Sequence, residues 1–78
     1  MERLRNQIDK IDDNLVDLLE KRKSIVKKIW QIKKQQKLPL IDLKREREII
    51  NKAKKRAKTL NKKELEKLFK EVILISRK

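Results

Sequence analysis

Between Leu4 and Ile32 the residues Leu4, Ile8, Ile11, Leu15, Leu18, Ile25, Ile29 and Ile32 recur on alternating steps of four and three, the apolar seam of a coiled-coil-like helix. The pattern predicts one helix from about Glu2 to about Gln36, roughly 52 Å long at 1.5 Å per residue. A globule of 78 residues is much narrower than that, so the helix must reach beyond the core of its own subunit. One slot of the series, between Leu18 and Ile25, is filled by Arg22. A cation sits where the pattern asks for core.

Pro39 lacks a backbone donor and disfavours helical geometry at Leu38, so the stretch from Gln35 to Ile41 should be the one clear loop. Asp42 then offers an N-cap for a second helix, over about 43–59. Its seam reads Leu43, Ile50, Ala53, Ala57 and Leu60, with Glu46 in the slot between Leu43 and Ile50. Asn61 followed by Glu64 resembles a capping box and opens a third helix, over about 62–77. There Leu65, Leu68, Phe69, Val72 and Ile73 should face inward, with Ser76 continuing the same face. The expected fold is all-α, with three helices per chain in a single domain, 1–78.

Composition supports that reading. The chain has no Gly and one Pro, and it is rich in Lys, Leu, Glu and Arg, all strong helix formers. Its apolar fraction is 37% and its charged fraction 47%, against roughly 45–50% and 25% in ordinary globular domains. A chain of this length buries only about 60 to 65% of its unfolded surface, so a partner subunit would help to close the core. The absence of Cys excludes disulfides, thiolate nucleophiles and thiolate metal sites, and the absence of His removes the commonest metal ligand and proton shuttle. No cofactor or metal is expected. No apolar run approaches the roughly 18 residues of a membrane span, and Met1-Glu2-Arg3 leads into a charged helix, which makes a cytoplasmic protein the default. A formal charge of +13 favours anionic partners without choosing among them. A thermophilic source or a designed, restricted alphabet would each account for the complete lack of Gly, His, Cys and Tyr.

The misplaced polar residues narrow the choice. Arg22 alone would be read as a side chain that snorkels from the seam. Glu46 and Ser76 also interrupt inward faces, however, and Lys33 follows Arg22 by 11 residues, which places both on nearly one face of the helix about 16 Å apart. Unpaired buried charge costs several kcal/mol, so the group suggests a polar pocket with a charged occupant, or else an internal Arg22–Glu46 salt bridge that fixes register. Arg5 precedes Arg22 by 17 residues, about 25 Å, and could reach such a pocket only from the partner in an antiparallel, intertwined dimer. Otherwise it is an ordinary solvated residue. Trp30 and Phe69, the two aromatics, read as core and not as a base-stacking surface.

The order Leu4-Arg5, Glu20-Lys21-Arg22, Lys33, Pro39 and Asp42-Leu43-Lys44-Arg45-Glu46-Arg47 resembles the all-helical (AroQ-type) chorismate mutases over essentially the whole chain. The resemblance implies an intertwined three-helix homodimer that converts chorismate to prephenate on the route to phenylalanine and tyrosine. By the same resemblance Arg22 and the partner copy's Arg5 would bind the two substrate carboxylates, with Ser76 assisting and Arg45 ordering them from one side. Lys33 would contact a carboxylate and the ether oxygen, Glu46 the ring hydroxyl, and Asp42 that hydroxyl through its backbone. A pericyclic rearrangement needs no nucleophile, metal or proton shuttle, which suits a chain without Cys or His. The family usually carries a Gln one turn after the Ser matched by Ser76, and that position would be 80, past Lys78. Its absence points to a slower enzyme, a shortened chain or a form completed by an activating partner protein. Two other readings stand beside this one: a basic nucleic-acid-binding module, which explains the charge but not the misplaced seam residues, and a structural dimerisation module in which nothing binds.

Overall fold

The computed structural model describes residues 1–77 and consists of three helices, α1 (Glu2–Gln35), α2 (Leu43–Arg56) and α3 (Lys62–Arg77), with no strand among the described residues. Glu2 lies in the first turn of α1, and Lys33 and Lys34 in its last, where each charge complements the helix dipole. Past Gln36 the Lys37 N–H donates to Lys34 O at 3.2 Å and the Leu38 N–H to Lys33 O at 2.8 Å, a Schellman closure. Lys37 takes the left-handed conformation that this closure requires, φ 56°, a place usually given to Gly. In a chain without glycine a Lys accepts that cost, and Pro39 two residues on prevents the helix from resuming.

Asp42 caps α2 as expected, its Oδ1 accepting from the Arg45 N–H at 3.0 Å. Asn61 does the same for α3, accepting from the Glu64 N–H at 3.0 Å. The expected run of α2 to residue 59 is corrected, since the helix stops at Arg56 and Ala57 is extended, φ −67° and ψ 134°. Lys54, Lys55 and Arg56 already complement its carboxyl end. Another turn would add only Lys58, β-branched Thr59 and Leu60, all of which stay exposed.

α3 packs on both α1 and α2, while α1 and α2 make no close backbone approach to each other. Ile50, Leu65, Ile73 and Ser76 are buried in this contact. Around them Leu19, Val26, Trp30, Ile49, Ala53, Phe69 and Val72 are half-buried. Lys54 Nζ donates to Glu66 Oε1 at 2.6 Å and braces α2 against α3. Three residues expected to face inward, Leu43, Leu60 and Leu68, are exposed, because in one chain no element covers their side of α2 and α3.

The seam of α1 is the larger surprise. None of its residues is buried, and the eight aliphatic members are between 45% and 64% exposed. The half-buried residues of α1 form instead a second stripe, Leu19, Arg22, Val26, Trp30 and Lys33, in which Arg22 alone belongs also to the seam. The chain measures 53 × 23 × 16 Å, and its radius of gyration is 15.3 Å where a compact chain of this length would have about 11.5 Å. The first half of α1 projects from the body formed by the rest.

Candidate functional site between α1 and α2

Because α3 holds α1 and α2 apart, a cleft of about 270 Å³ lies between them, at the small end of the roughly 300–1,000 Å³ common for ligand sites. α1 contributes Arg22 and Lys33, set among Ile25, Val26, Ile29 and Trp30. Leu40 and Asp42 come from the loop, Arg45, Glu46 and Ile49 from α2, and Ile73 and Arg77 from α3. The Schellman turn after α1 makes this convergence possible by sending the chain back across the end of the helix. Lys33 Nζ donates to Leu40 O at 3.3 Å and ties the returning loop to α1.

Five of the seven residues singled out in the sequence, Arg22, Lys33, Asp42, Arg45 and Glu46, thus line one cleft. Ser76 does not. It is 3% exposed, and its hydroxyl donates to Val72 O at 2.7 Å, so it stabilises the last turn of α3. Arg5 lies about 25 Å from Arg22 along α1 and pairs at 3.7 Å with Glu2 on an exposed surface. Within one chain it takes no part. Trp30 and Phe69 are both packing residues as expected, and Trp30 also walls the cleft.

The charges of the cleft are unevenly partnered. Glu46 Oε2 accepts from Arg77 at 2.5 Å, not from Arg22, so the internal Arg22–Glu46 bridge is not formed. Among the described residues no ion pair includes Arg22. Burial, and then the positive charge of Arg45, hold its guanidinium below the usual arginine pKa, a mark of a cation poorly served by its surroundings. Arg22, Lys33, Arg45 and Arg77 face Asp42 and Glu46, a surplus of two positive charges over an apolar floor. Such a site suits a small dianion with an apolar body. Arg77 was not anticipated from the sequence, although it follows Ile73 by one turn on the buried face of α3.

Among the described residues no group of acidic side chains could hold a metal ion. No described helix is long and apolar enough to cross a membrane. Residues 4–78 match the model of the family described as chorismate mutase type II. A chorismate mutase structure from Thermus thermophilus superposes with a TM-score of 0.91 at 28% identity, over 96% of this chain and 95% of that one. No curated protein matches the chain at a significant level.

Proposed function

The chain belongs to the chorismate mutase type II family and is an isomerase that converts chorismate to prephenate; we propose that the reaction runs in the α1/α2 cleft and that a second copy of the chain completes it. The observation that carries this reading is the convergence of Arg22, Lys33, Arg45 and Glu46 on one cleft with a surplus of two positive charges. Chorismate carries two carboxylates, an ether and a ring hydroxyl. In its rearrangement the ether carbon–oxygen bond breaks as a carbon–carbon bond forms, and negative charge grows on the ether oxygen while no proton moves. The enzyme has two tasks: to hold the compact conformer in which the reacting carbons meet, and to place a cation beside that oxygen.

Arg22 is a carboxylate ligand with Arg45 ordering the carboxylates from one side, Lys33 reaches a carboxylate and the ether oxygen, and Glu46 accepts from the ring hydroxyl. The backbone of Asp42 lies beside that hydroxyl, its side chain being engaged in capping α2. Ile25 and Ile29 belong both to the cleft and to the exposed seam, so a copy of the chain docked on the seam would close the open side. If the two α1 helices run antiparallel, Arg5 of the second copy arrives there and adds a cation. Residues 1–78 act in this reading as one cytoplasmic domain, and an activating partner would supply whatever further donor the ether oxygen needs. Nucleic-acid binding and a purely structural role account for the net charge and the seam but not for the family to which the chain belongs.

The test is the loss of chorismate absorbance with time. Lys33→Ala should lower turnover by about 10²–10³-fold, the usual effect of removing one preorganised donor to a developing oxyanion. Circular dichroism should be unchanged. Turnover near that of the parent would move the reaction elsewhere.

A further inference from the structure

We propose that Arg77 is a positioning residue of this site, an inference that rests on the reading of Glu46 as the acceptor for the substrate hydroxyl. Its guanidinium engages one oxygen of Glu46 and thereby keeps that carboxylate away from the cations that must remain free for the substrate.

The pair joins the first turn of α2 to the last turn of α3, across 31 residues of sequence, at 2.5 Å. With side chains 21% and 22% exposed, it is the most buried ion pair among the described residues. The next, Lys54–Glu66, is 31% and 37% exposed. Its anchor is firm on the α3 side, because the preceding residue, Ser76, is buried and hydrogen-bonded to Val72 O. Glu46 Oε2 is engaged, while Oε1 has no hydrogen-bond partner among the described residues. Since no buried side-chain polar atom lacks a partner, Oε1 must retain open surface. One oxygen is fixed and the other is available as an acceptor.

The charges around the pair show why this matters. Glu46 shares its cleft with Arg22, Lys33 and Arg45, of which Arg45 already pairs with Glu48 at 3.6 Å while Arg22 and Lys33 have no ion pair among the described residues, and a flexible carboxylate beside such cations will bind one of them. Arg22 is the obvious target, as a half-buried cation without a counter-ion among the described residues. An Arg22–Glu46 bridge would neutralise two substrate ligands at once. Arg77 prevents it by offering Glu46 a partner on the far side, at a distance typical of a strong charge-assisted hydrogen bond. The separation of Glu46, engaged by Arg77, from Arg22, left without a counter-ion among the described residues, is therefore the work of a residue outside the set expected to touch substrate.

Arg77→Ala should lower kcat/KM for chorismate by about 10–100-fold, the range for loss of a hydrogen bond to a charged group. The loss should fall on KM as well as kcat, because Arg22 becomes occupied. Arg77→Lys should retain most of the parental kcat/KM, and Arg77→Gln, which keeps part of the stem and one amide donor group without the charge, should show the same loss as a folded Arg77→Ala and replaces it should Arg77→Ala fold poorly. The decisive measurement is the same substitution in a Glu46→Gln background, where it should change kcat/KM less than about threefold, since coupled residues are non-additive. An equal loss in both backgrounds, or no loss in the parent, would overturn the inference while leaving Glu46 in its role. Should Glu46→Gln alone retain full kcat/KM, the reading of Glu46 fails and the positioning role fails with it.

Discussion

The two halves of α1 carry the same apolar repeat and have different fates. From Leu19 to Lys33 the helix has a second, half-buried stripe beside the seam. A heptad step back from Val26 gives Leu19, and two further steps give Asp12 and Arg5, so towards the N-terminus the second stripe turns polar. That half keeps the seam alone and projects uncovered, with Leu4, Ile8, Ile11 and Leu15 all more than half exposed. One apolar stripe makes a helix that requires a partner, while two make a helix that can serve a partner and its own chain together. The cleft forms in the half that has both, at the position where Arg22 belongs to each stripe.

The sharpest way to break this contrast is to charge the seam where nothing else supports it. Ile11→Lys should convert the protein to a monomer of 9.5 kDa at micromolar concentration in sedimentation equilibrium. Turnover should fall to a few per cent or less, roughly the cost of removing one preorganised cationic donor, because Arg5 no longer reaches the cleft. Helix content should also drop as the projecting half frays, since an isolated helix of that length is marginal in water. A parent protein that sediments as a monomer, or a variant that remains both dimeric and active, would show that the seam has another purpose.

The contrast also explains what the sequence disclosed. Helix positions followed from periodicity and caps because those signals are local: the seam steps, Asp42, Asn61 and Pro39 act on their own neighbours. Arg22 and Glu46 were legible because charge in an apolar slot is anomalous, Lys33 because it shares a face with Arg22, and Asp42 and Arg45 as site residues because the order of these residues along the chain resembles a known family. Arg77 was not legible, since a basic residue near a helix C-terminus is ordinary and only the tertiary contact with Glu46 distinguishes it. The choice of stripe that packs on α3 was hidden for a related reason. Leu19, Val26 and Trp30 follow the same steps as the seam, displaced around the helix, and which stripe a chain keeps for itself depends on where α3 arrives. Likewise Leu43, Leu60 and Leu68 fit an inward pattern that one chain leaves open.

A second test divides the two halves between two polypeptides. Arg5→Ala and Arg22→Ala homodimers should each be nearly inactive. Refolded together from denaturant in equal amounts, half the dimers should be mixed, and in each of those one of the two sites has both arginines intact. About a quarter of parental activity should return, given symmetric assembly. A mixture with verified heterodimers but no activity beyond that of its components would leave Arg5 as the solvated partner of Glu2 that a single chain shows.

The smallest effect probes why Arg22 stands between the stripes. Its pKa is lowered by burial and then by Arg45, so the folded chain binds that proton less tightly than the unfolded chain does. For a base the sign is definite: at every pH below its folded pKa, and so throughout the neutral range, the charge disfavours the fold. Arg22→Gln removes the charge and keeps a polar side chain. Without ligand it should raise the melting temperature slightly, on the order of 2 °C, because much of the side chain still meets water. Saturating prephenate, a dicarboxylate product, should raise the melting temperature of the parent by supplying the missing counter-ion, and should raise that of the variant much less. A variant less stable than the parent without ligand, yet equally stabilised by prephenate, would make Arg22 a packing residue and locate anion binding elsewhere in the cleft.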